Sequence, residues 1–431
     1  MRTGIKRTAA PSRRAPRAAS RQTRGRSVRS GGLQADLGRL RAGADGFISS
    51  TFRGQSQEFR FLLAITLALV AIGLVMVLDA SYVTDLTSGV SPFATFQRQA
   101  MIAVLGLLGM AVFSRISHDT YVRITPAFTL TMLAIQLATF FVGVSVNGNK
   151  SWIRIPFVGQ FQPSEILKVA LVLNLALLLE QRKHQLDQPG FRYTWWPALS
   201  VSALGLFLVG IGKDMGTVMI MAIFILVMLT MAGLHRVYLT RMLILGAIAA
   251  FFGTYLSGSR WARTIAWLNP NAPDPNDINW QSKHGVWALA AGGWTGVGFG
   301  KSTLKWSWIP EVDNDYIFAV IGEEFGLVGA AVVIGLFVAL AFVMFRILAR
   351  TQEFWARLAV GGVMAWITFQ AMVNIAVVLS LLPVLGVPLP MISSGGSSLI
   401  ANLLAIGIVL SIERHNSGNA INVRRRPRGR R

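Results

Sequence analysis

Cysteine is absent from the 431 residues, which excludes disulfide frameworks, thiolate metal sites and cysteine nucleophiles and leaves the redox compartment unreadable. Acidic residues are scarce: 19 Asp and Glu stand against 41 Lys and Arg, and charged residues of both signs make up only 14% of the chain. The five histidines do not cluster by sequence as metal ligands would. No H-E-x-x-H pair, EF-hand loop or G-x-S-x-G elbow occurs, so the common metalloprotease, calcium-binding and hydrolase patterns are missing. What is abundant is apolar: 53% of residues are hydrophobic, too many for a water-soluble domain of this length. In a soluble protein the formal charge of +22 would suggest nucleic acid. Here the excess lies in two tails and in short loops between apolar runs, a pattern of membrane topology, so no nucleic-acid partner is expected.

Apolar runs near the ~20 residues that cross a bilayer fall at 60–82, 99–114, 124–144, 164–181, 196–212, 215–234, 239–258, 316–346, 357–383 and 395–413. The expected fold is all-α, a polytopic membrane domain of about ten transmembrane helices over residues 59–414. Residues 1–58 and 415–431 read as basic cytoplasmic tails, the first of them disordered because it holds few large apolar residues. Leu33, Leu37 and Leu40 leave a short interfacial helix open as an alternative. No short apolar stretch and cleavage site follow Arg13-Arg14, so it is not read as an export signal. With both termini cytoplasmic, the inside loops hold Arg115, Arg123, Arg182, Lys183, Arg192, Arg236, Arg241, Arg346, Arg350 and Arg357, and the short outside loops hold only Arg98, Lys150, Arg154 and Lys213. That asymmetry follows the positive-inside rule.

One connection, 259–315, is far longer than the others and is placed on the outer face as the only large soluble element. It is rich in tryptophan and ends in Glu311, Asp313 and Asp315. A carboxylate at the mouth of an apolar cavity is a candidate general base, and an aspartate just before a helix is equally a candidate N-cap; the residues alone leave both roles open for Asp315. Charges inside the expected spans are expensive and mark a polar interior. Glu165 and Lys168 share a helical face and can neutralise each other, Asp214 opens the sixth span, and Glu323-Glu324 would also suit a transporter's ion relay. Ser393-Ser394-Gly395-Gly396-Ser397-Ser398 follows a proline-rich segment and fits either close packing or a ligand. Gly296, Gly298, Gly300, Lys301 and Ser302 imitate a phosphate-binding loop, but Thr295 stands where that pattern needs glycine.

These segments together resemble the SEDS family of peptidoglycan glycosyltransferases, the family of FtsW, RodA and SpoVE. Gln162-Pro163-Ser164-Glu165 with Lys168 matches its Q-P-S-E-x-x-K pattern, and Asp214 to Thr217 resembles its D-L-G-T with Met215 for leucine. The glycines from Gly292 to Gly300 with Ser302, Pro310-Glu311 followed by Asp315 to Glu324, and Pro388-Leu389-Pro390 with Ser393 to Ser398 match three further signatures. The resemblance implies a ten-helix polymerase that joins lipid II units outside the cytoplasmic membrane, with Asp315 catalytic. It implies substrate contacts at Glu311, Trp152, Gln162, Glu165, Lys168, Asp214, Ser394, Gly395, Gly396 and Ser397. Lys150, Arg154, Arg260 and Arg263 are the cations suggested for the leaving diphosphate. Implied partners are undecaprenyl-pyrophosphate-linked glycan, a class B penicillin-binding transpeptidase and division-complex proteins; no cofactor is implied, and a divalent cation is left open. Four positions depart from the pattern: Lys150 and Ser151 stand where arginine commonly precedes the tryptophan, Lys213 where proline precedes the aspartate, and Asn314 where threonine is usual. The basic tails and Ile392-Ser393-Ser394 look more like the division member, FtsW, than the elongation member, RodA, which points to the septum. A lipid II flippase and a structural scaffold are the competing functions.

Overall fold

The computed structural model describes residues 55–425 apart from 147–148, 156–158, 187–194, 271–276, 304 and 306–311. The expected N-terminal tail therefore lies almost wholly outside the described residues, as does Glu311. The first helices are α1 (Gln57–Thr87), α2 (Ala94–Phe113) and α3 (His118–Val142). A small sheet of β1 (Val144–Val146), β2 (Asn149–Ile155) and β3 (Gly159–Phe161) follows. Then come α4 (Pro163–Gln181), α5 (Trp196–Ile211), α6 (Met215–Met231) and α7 (Arg236–Tyr255). The long connection holds α8 (Gly258–Leu268) and α9 (Trp280–Gly292), and α10 (Ile317–Arg350), α11 (Phe354–Val378) and α12 (Gly396–Arg425) complete the chain.

The ten expected spans correspond to α1 to α7 and α10 to α12. Seven of these are long and apolar enough to cross a membrane by length and composition; α5 and α6 are shorter apolar helices of 16 and 17 residues. The tenth, α4, carries Glu165, Lys168 and Glu180 on 19 residues, yet it is the central helix, buried along nearly its whole length against α3, α5, α6, α11 and α12. A helix apolar on every side belongs in a core, and α4 keeps its charges by pairing them. At the other extreme, α7 has no buried residue and packs mainly on α6 and α8.

The all-α expectation meets one addition, the antiparallel sheet β1-β2-β3. Its register sets Ile153 opposite Phe161 and Arg154 opposite Gln160. Valine, isoleucine and aromatic residues suit so short a pleated surface. The long connection also departs from a purely soluble loop. Its glycine-rich part is drawn into the helical layer, where α10 is broken at Gly326 (φ 65°, ψ −162°) rather than running on as one span. Val297 N and Gly298 N donate to Glu323 O and Glu324 O at 3.0 and 3.1 Å, and Leu327 N and Val328 N donate to Gly293 O and Trp294 O at 2.9 and 3.2 Å. The loop thus satisfies the backbone groups that the break frees, the condition on which a broken helix survives in an apolar layer.

Close backbone approach explains why these positions are glycine. A Cβ on Gly296 (φ 83°) would stand 2.0 Å from Glu324 O. Gly296→Ala should therefore lower stability by about 2 kcal/mol or more. Gly246→Ala in α7, where nothing lies within 4 Å of the added carbon, should instead be neutral or gain up to ~1 kcal/mol. Thermal melts of the detergent-solubilised variants measure both, and equal melting points would contradict the close-approach account.

Candidate active site

A cavity of about 1670 Å³ opens between the sheet, the α5–α6 junction, α8, the start of α9, the 313–315 turn and the segment before α12. Its wall carries five cations, Arg98, Arg154, Lys213, Arg260 and Arg263, against the carboxylates Asp277, Asp313 and Asp315. The excess positive charge suits an anionic ligand. Among the described residues, the non-glycine positions with positive φ are Lys213, Asp277, Ser380 and Met391. Lys213 and Asp277 line the cavity, Ser380 O accepts Trp267 Nε1 of α8 at 2.8 Å, and Met391 lies three residues before the lining Ser394. Backbone strain clusters where a site over-determines its geometry.

Helix α8 supplies the roof. Arg260 and Arg263 face the cavity one turn apart, while Ile265 and Leu268 are exposed on the far side. Arg260 donates to Lys213 O and, at 3.4 Å, to Asn149 Oδ1, which ties α8 to the α5–α6 junction and to β2. Partial burial pulls the Arg260 guanidinium below its ordinary range, an effect that the Asp214 carboxylate opposes.

On the opposite wall, three consecutive carbonyls fix the turn that holds Asp315. Asp313 O accepts Ser394 N at 2.9 Å, Asn314 O accepts Ser393 Oγ at 2.6 Å, and Asp315 O accepts Asn374 Nδ2 at 2.9 Å. Asp315 is half-buried at the cavity, and a Cβ on Gly386 would lie 3.6 Å from its Oδ2. The helix α10 begins at Ile317 behind Tyr316, which makes no side-chain cap bond, so Asp315 lies one residue outside the cap position. Of the two roles the residues left open, a side chain at the cavity one residue before the cap position favours the base.

Apart from Lys150 and Glu311, the other expected site residues divide into two groups. Trp152, Arg154, Arg260, Arg263, Ser394, Gly395 and Gly396 line the cavity with Asp315. Gln162, Glu165, Lys168, Asp214 and Ser397 lie behind it as scaffolding. Lys168 Nζ bonds Glu165 Oε1 at 2.8 Å and Gln370 Oε1 at 3.0 Å, and Gln370 Nε2 donates to Pro388 O at 3.0 Å. Gln162 Nε2 donates to Asp214 Oδ2 at 2.6 Å, Gln162 N donates to Ser397 Oγ at 2.8 Å, and Asp214 Oδ1 caps α6 at Thr217 N. Lys150 does not reach the cavity: its Nζ donates to Phe140 O at 2.8 Å. Glu323 and Glu324 are engaged too. Glu323 accepts from Ser302 and Thr303, and Glu324 Oε1 meets Lys305 Nζ at 3.0 Å, which also bonds Asp79 of α1 at 2.9 Å. Glu311 is outside the described residues.

The family model for the cell cycle proteins FtsW, RodA and SpoVE matches residues 59–418. The chain belongs to this family. Its relatives include the probable peptidoglycan glycosyltransferase FtsW of Mycobacterium tuberculosis, 36% identical over 362 residues that cover 83% of this chain and 68% of that one. The stage V sporulation protein E of Bacillus subtilis is 31% identical over 360 residues, 82% of this chain and 96% of its own. RodA of Thermus thermophilus aligns with a TM-score of 0.62 at 25% identity, covering 85% of this chain and 99% of that one. A chain from a structure described as "Structural coordination of polymerization and crosslinking by a peptidoglycan synthase complex" aligns with a TM-score of 0.67 at 26% identity, covering 82% and 97%.

Against the family pattern, the place of the missing arginine before Trp152 is not filled by Lys150. Arg98 on α2 is the cation nearby: its Nη1 would lie 3.4 Å from a Cβ on Gly159 of β3. Arg98, Lys213, Asp277 and Asp313 are cavity residues that the motifs do not contain; the positions of Arg98 and Lys213 outside the spans and of Asp313 in the acidic end of the long loop hinted at three of them. Among the described residues, no group of three or more His, Asp or Glu comes together to hold a metal ion.

Burial pushes the Asp313 carboxyl up, against the opposing effects of a Ser394 hydrogen bond and the Arg98 charge. The folded state then holds this proton more tightly than the unfolded chain, so its contribution to stability declines as pH rises from about 3.9 through the raised folded value. Asp313→Asn should melt higher than the parent above that window, with the gap closing in acid. Melting curves across pH check this, and a gap that does not vary with pH would contradict it.

Proposed function

We propose that this chain, a peptidoglycan glycosyltransferase of the FtsW, RodA and SpoVE family, joins lipid II units into glycan strands at the cavity. The carrying observation is Asp315, held by its backbone in a cavity wall that bears five cations. A sugar hydroxyl is a poor nucleophile at neutral pH and needs a positioned base. Asp315 takes the proton from the 4-hydroxyl of the acceptor sugar as that oxygen bonds to the anomeric carbon of the lipid-linked donor. The bond from that carbon to the diphosphate oxygen breaks, and undecaprenyl pyrophosphate leaves with inversion. Arg98, Arg154, Lys213, Arg260 and Arg263 face the space in which the negative charge of the leaving group develops, which is where preorganised cations lower a barrier most. Each can do so without a metal ion being assigned to the site.

A flippase would need a polar path through the bundle. The intramembrane charges Glu165, Lys168, Glu323 and Glu324 are instead each bonded to neighbouring protein groups, which favours polymerisation. The cavity faces outward in the cytoplasmic membrane, with both termini inside and with the basic tails beside anionic headgroups. Septal synthesis is the cellular role, beside a class B penicillin-binding transpeptidase and division-complex proteins; the likeness to a chain from a complex described by polymerisation and crosslinking supports such a partner.

Asp315→Asn should abolish polymerisation, by at least ~10²-fold, while leaving insertion and lipid II binding intact. The substitution keeps the main-chain carbonyl that Asn374 holds and removes only the proton acceptor. Turnover of labelled lipid II by the purified variant within a few-fold of the parent would overturn the assignment. Orientation has its own test. Because the chain lacks cysteine, single cysteines report without background, and a membrane-impermeant maleimide added to intact cells should label Asp277→Cys and spare Lys183→Cys. The reverse pattern would invert the topology and remove the chemistry.

A further inference from the structure

Asn374 stands on α11 one turn after Gln370 and is 1% exposed. Its Nδ2 is shared between Asp315 O at 2.9 Å and Val387 O at 2.8 Å. Its Oδ1 is buried and meets no donor among the described residues. A half-satisfied amide in an apolar layer is a costly choice, since leucine would fill the same volume with nothing left to desolvate. The two donated bonds are what the amide provides in return, and both end at the reaction centre. One holds the backbone of Asp315. The other holds the residue after Gly386, whose backbone (φ 67°) approaches so near that an added Cβ would lie 3.6 Å from Asp315 Oδ2.

We infer that Asn374 is a positioning residue for glycosyl transfer, which sets the separation between the Asp315 carboxylate and the cavity wall at Gly386. It acts through Asp315 and touches no substrate. Ser393 and Ser394 fix the two preceding carbonyls from the segment before α12, whereas Asn374 bonds the Asp315 carbonyl directly from a helix. That helix is itself locked, one turn earlier, by Gln370 between Lys168 and Pro388. The order of support runs from the Glu165–Lys168 pair through α11 to the carboxylate.

The inference rests on Asp315 as the base, and its test separates the two claims. Full-length Asn374→Leu and Asn374→Asp are purified with the parent and Asp315→Asn, and kcat and KM are measured with labelled lipid II. Loss of both donors in Asn374→Leu should lower kcat by roughly 10–100-fold, the scale of a displacement of about 1 Å at a reacting group. KM should stay within about threefold, because the cations that bind the diphosphate are untouched. Asn374→Asp keeps the shape, which guards against a variant that fails to fold. Its rate, relative to the parent, should recover in acid, where the neutral carboxyl regains one O–H donor; the ratio for Asn374→Leu should stay flat with pH. A purely structural residue would change yield and melting point and leave kcat of the folded enzyme alone. A kcat within twofold of the parent in folded Asn374→Leu, with Asp315→Asn inactive, overturns the positioning role by itself. Full turnover by Asp315→Asn overturns the base assignment and this inference together.

Discussion

In the apolar layer of a bilayer, a broken helix or a lone charge has only protein to bond to, and the arrangement of this molecule follows from that constraint. The chain meets it in three places. The break at Gly326 is closed by the backbone of the glycine-rich loop. Lys305 is enclosed by Asp79 and Glu324, with side chains at most 9% exposed, and so pins the far end of that loop to α1 and α10. Glu165 and Lys168 neutralise each other, and Gln370 bonds the lysine from α11. Removing one partner from such a buried pair typically costs 3–5 kcal/mol, because the other charge is left alone. Motifs that look catalytic in the sequence thereby become the framework that allows irregular backbone to exist at this depth.

The cavity is what that framework holds open. Its reactive carboxylate is not on a helix but on a turn, and a turn at the edge of an apolar layer would drift if it were not tied. Three hydrogen bonds to successive carbonyls tie it, from two elements that are remote in sequence. Of the cations, Arg154, Lys213, Arg260 and Arg263 sit on the sheet, the α5–α6 junction and α8, and Arg98 sits on α2.

Hydropathy makes the ten spans legible because the length of a span is set by the membrane, not by the neighbouring helices. The same reading cannot see a break inside a long apolar run, so 316–346 looks continuous and Gly326 hides among other glycines. Strands of three to seven residues are too short for a pattern to emerge, and the sheet carrying Trp152 and Arg154 escapes for that reason. Asp315 is legible as a boundary carboxylate, and its removal from the cap position needed coordinates. Lys150 shows the opposite failing: residue type and side of the membrane suit it for substrate, yet its side chain folds back onto Phe140, whereas the Glu165–Lys168 pair is one that helical spacing offered. Asn374 carries no signal at all in sequence, since a lone amide in an apolar helix is indistinguishable from one that merely links helices.

The most direct test of the central claim is a structure of the full chain with lipid II bound. The account predicts the diphosphate among Arg98, Arg154, Lys213, Arg260 and Arg263, with a sugar hydroxyl within roughly 2.6–3.2 Å of the Asp315 carboxylate. A lipid II sugar lodged away from Asp315, with the diphosphate outside that cationic wall, would contradict it.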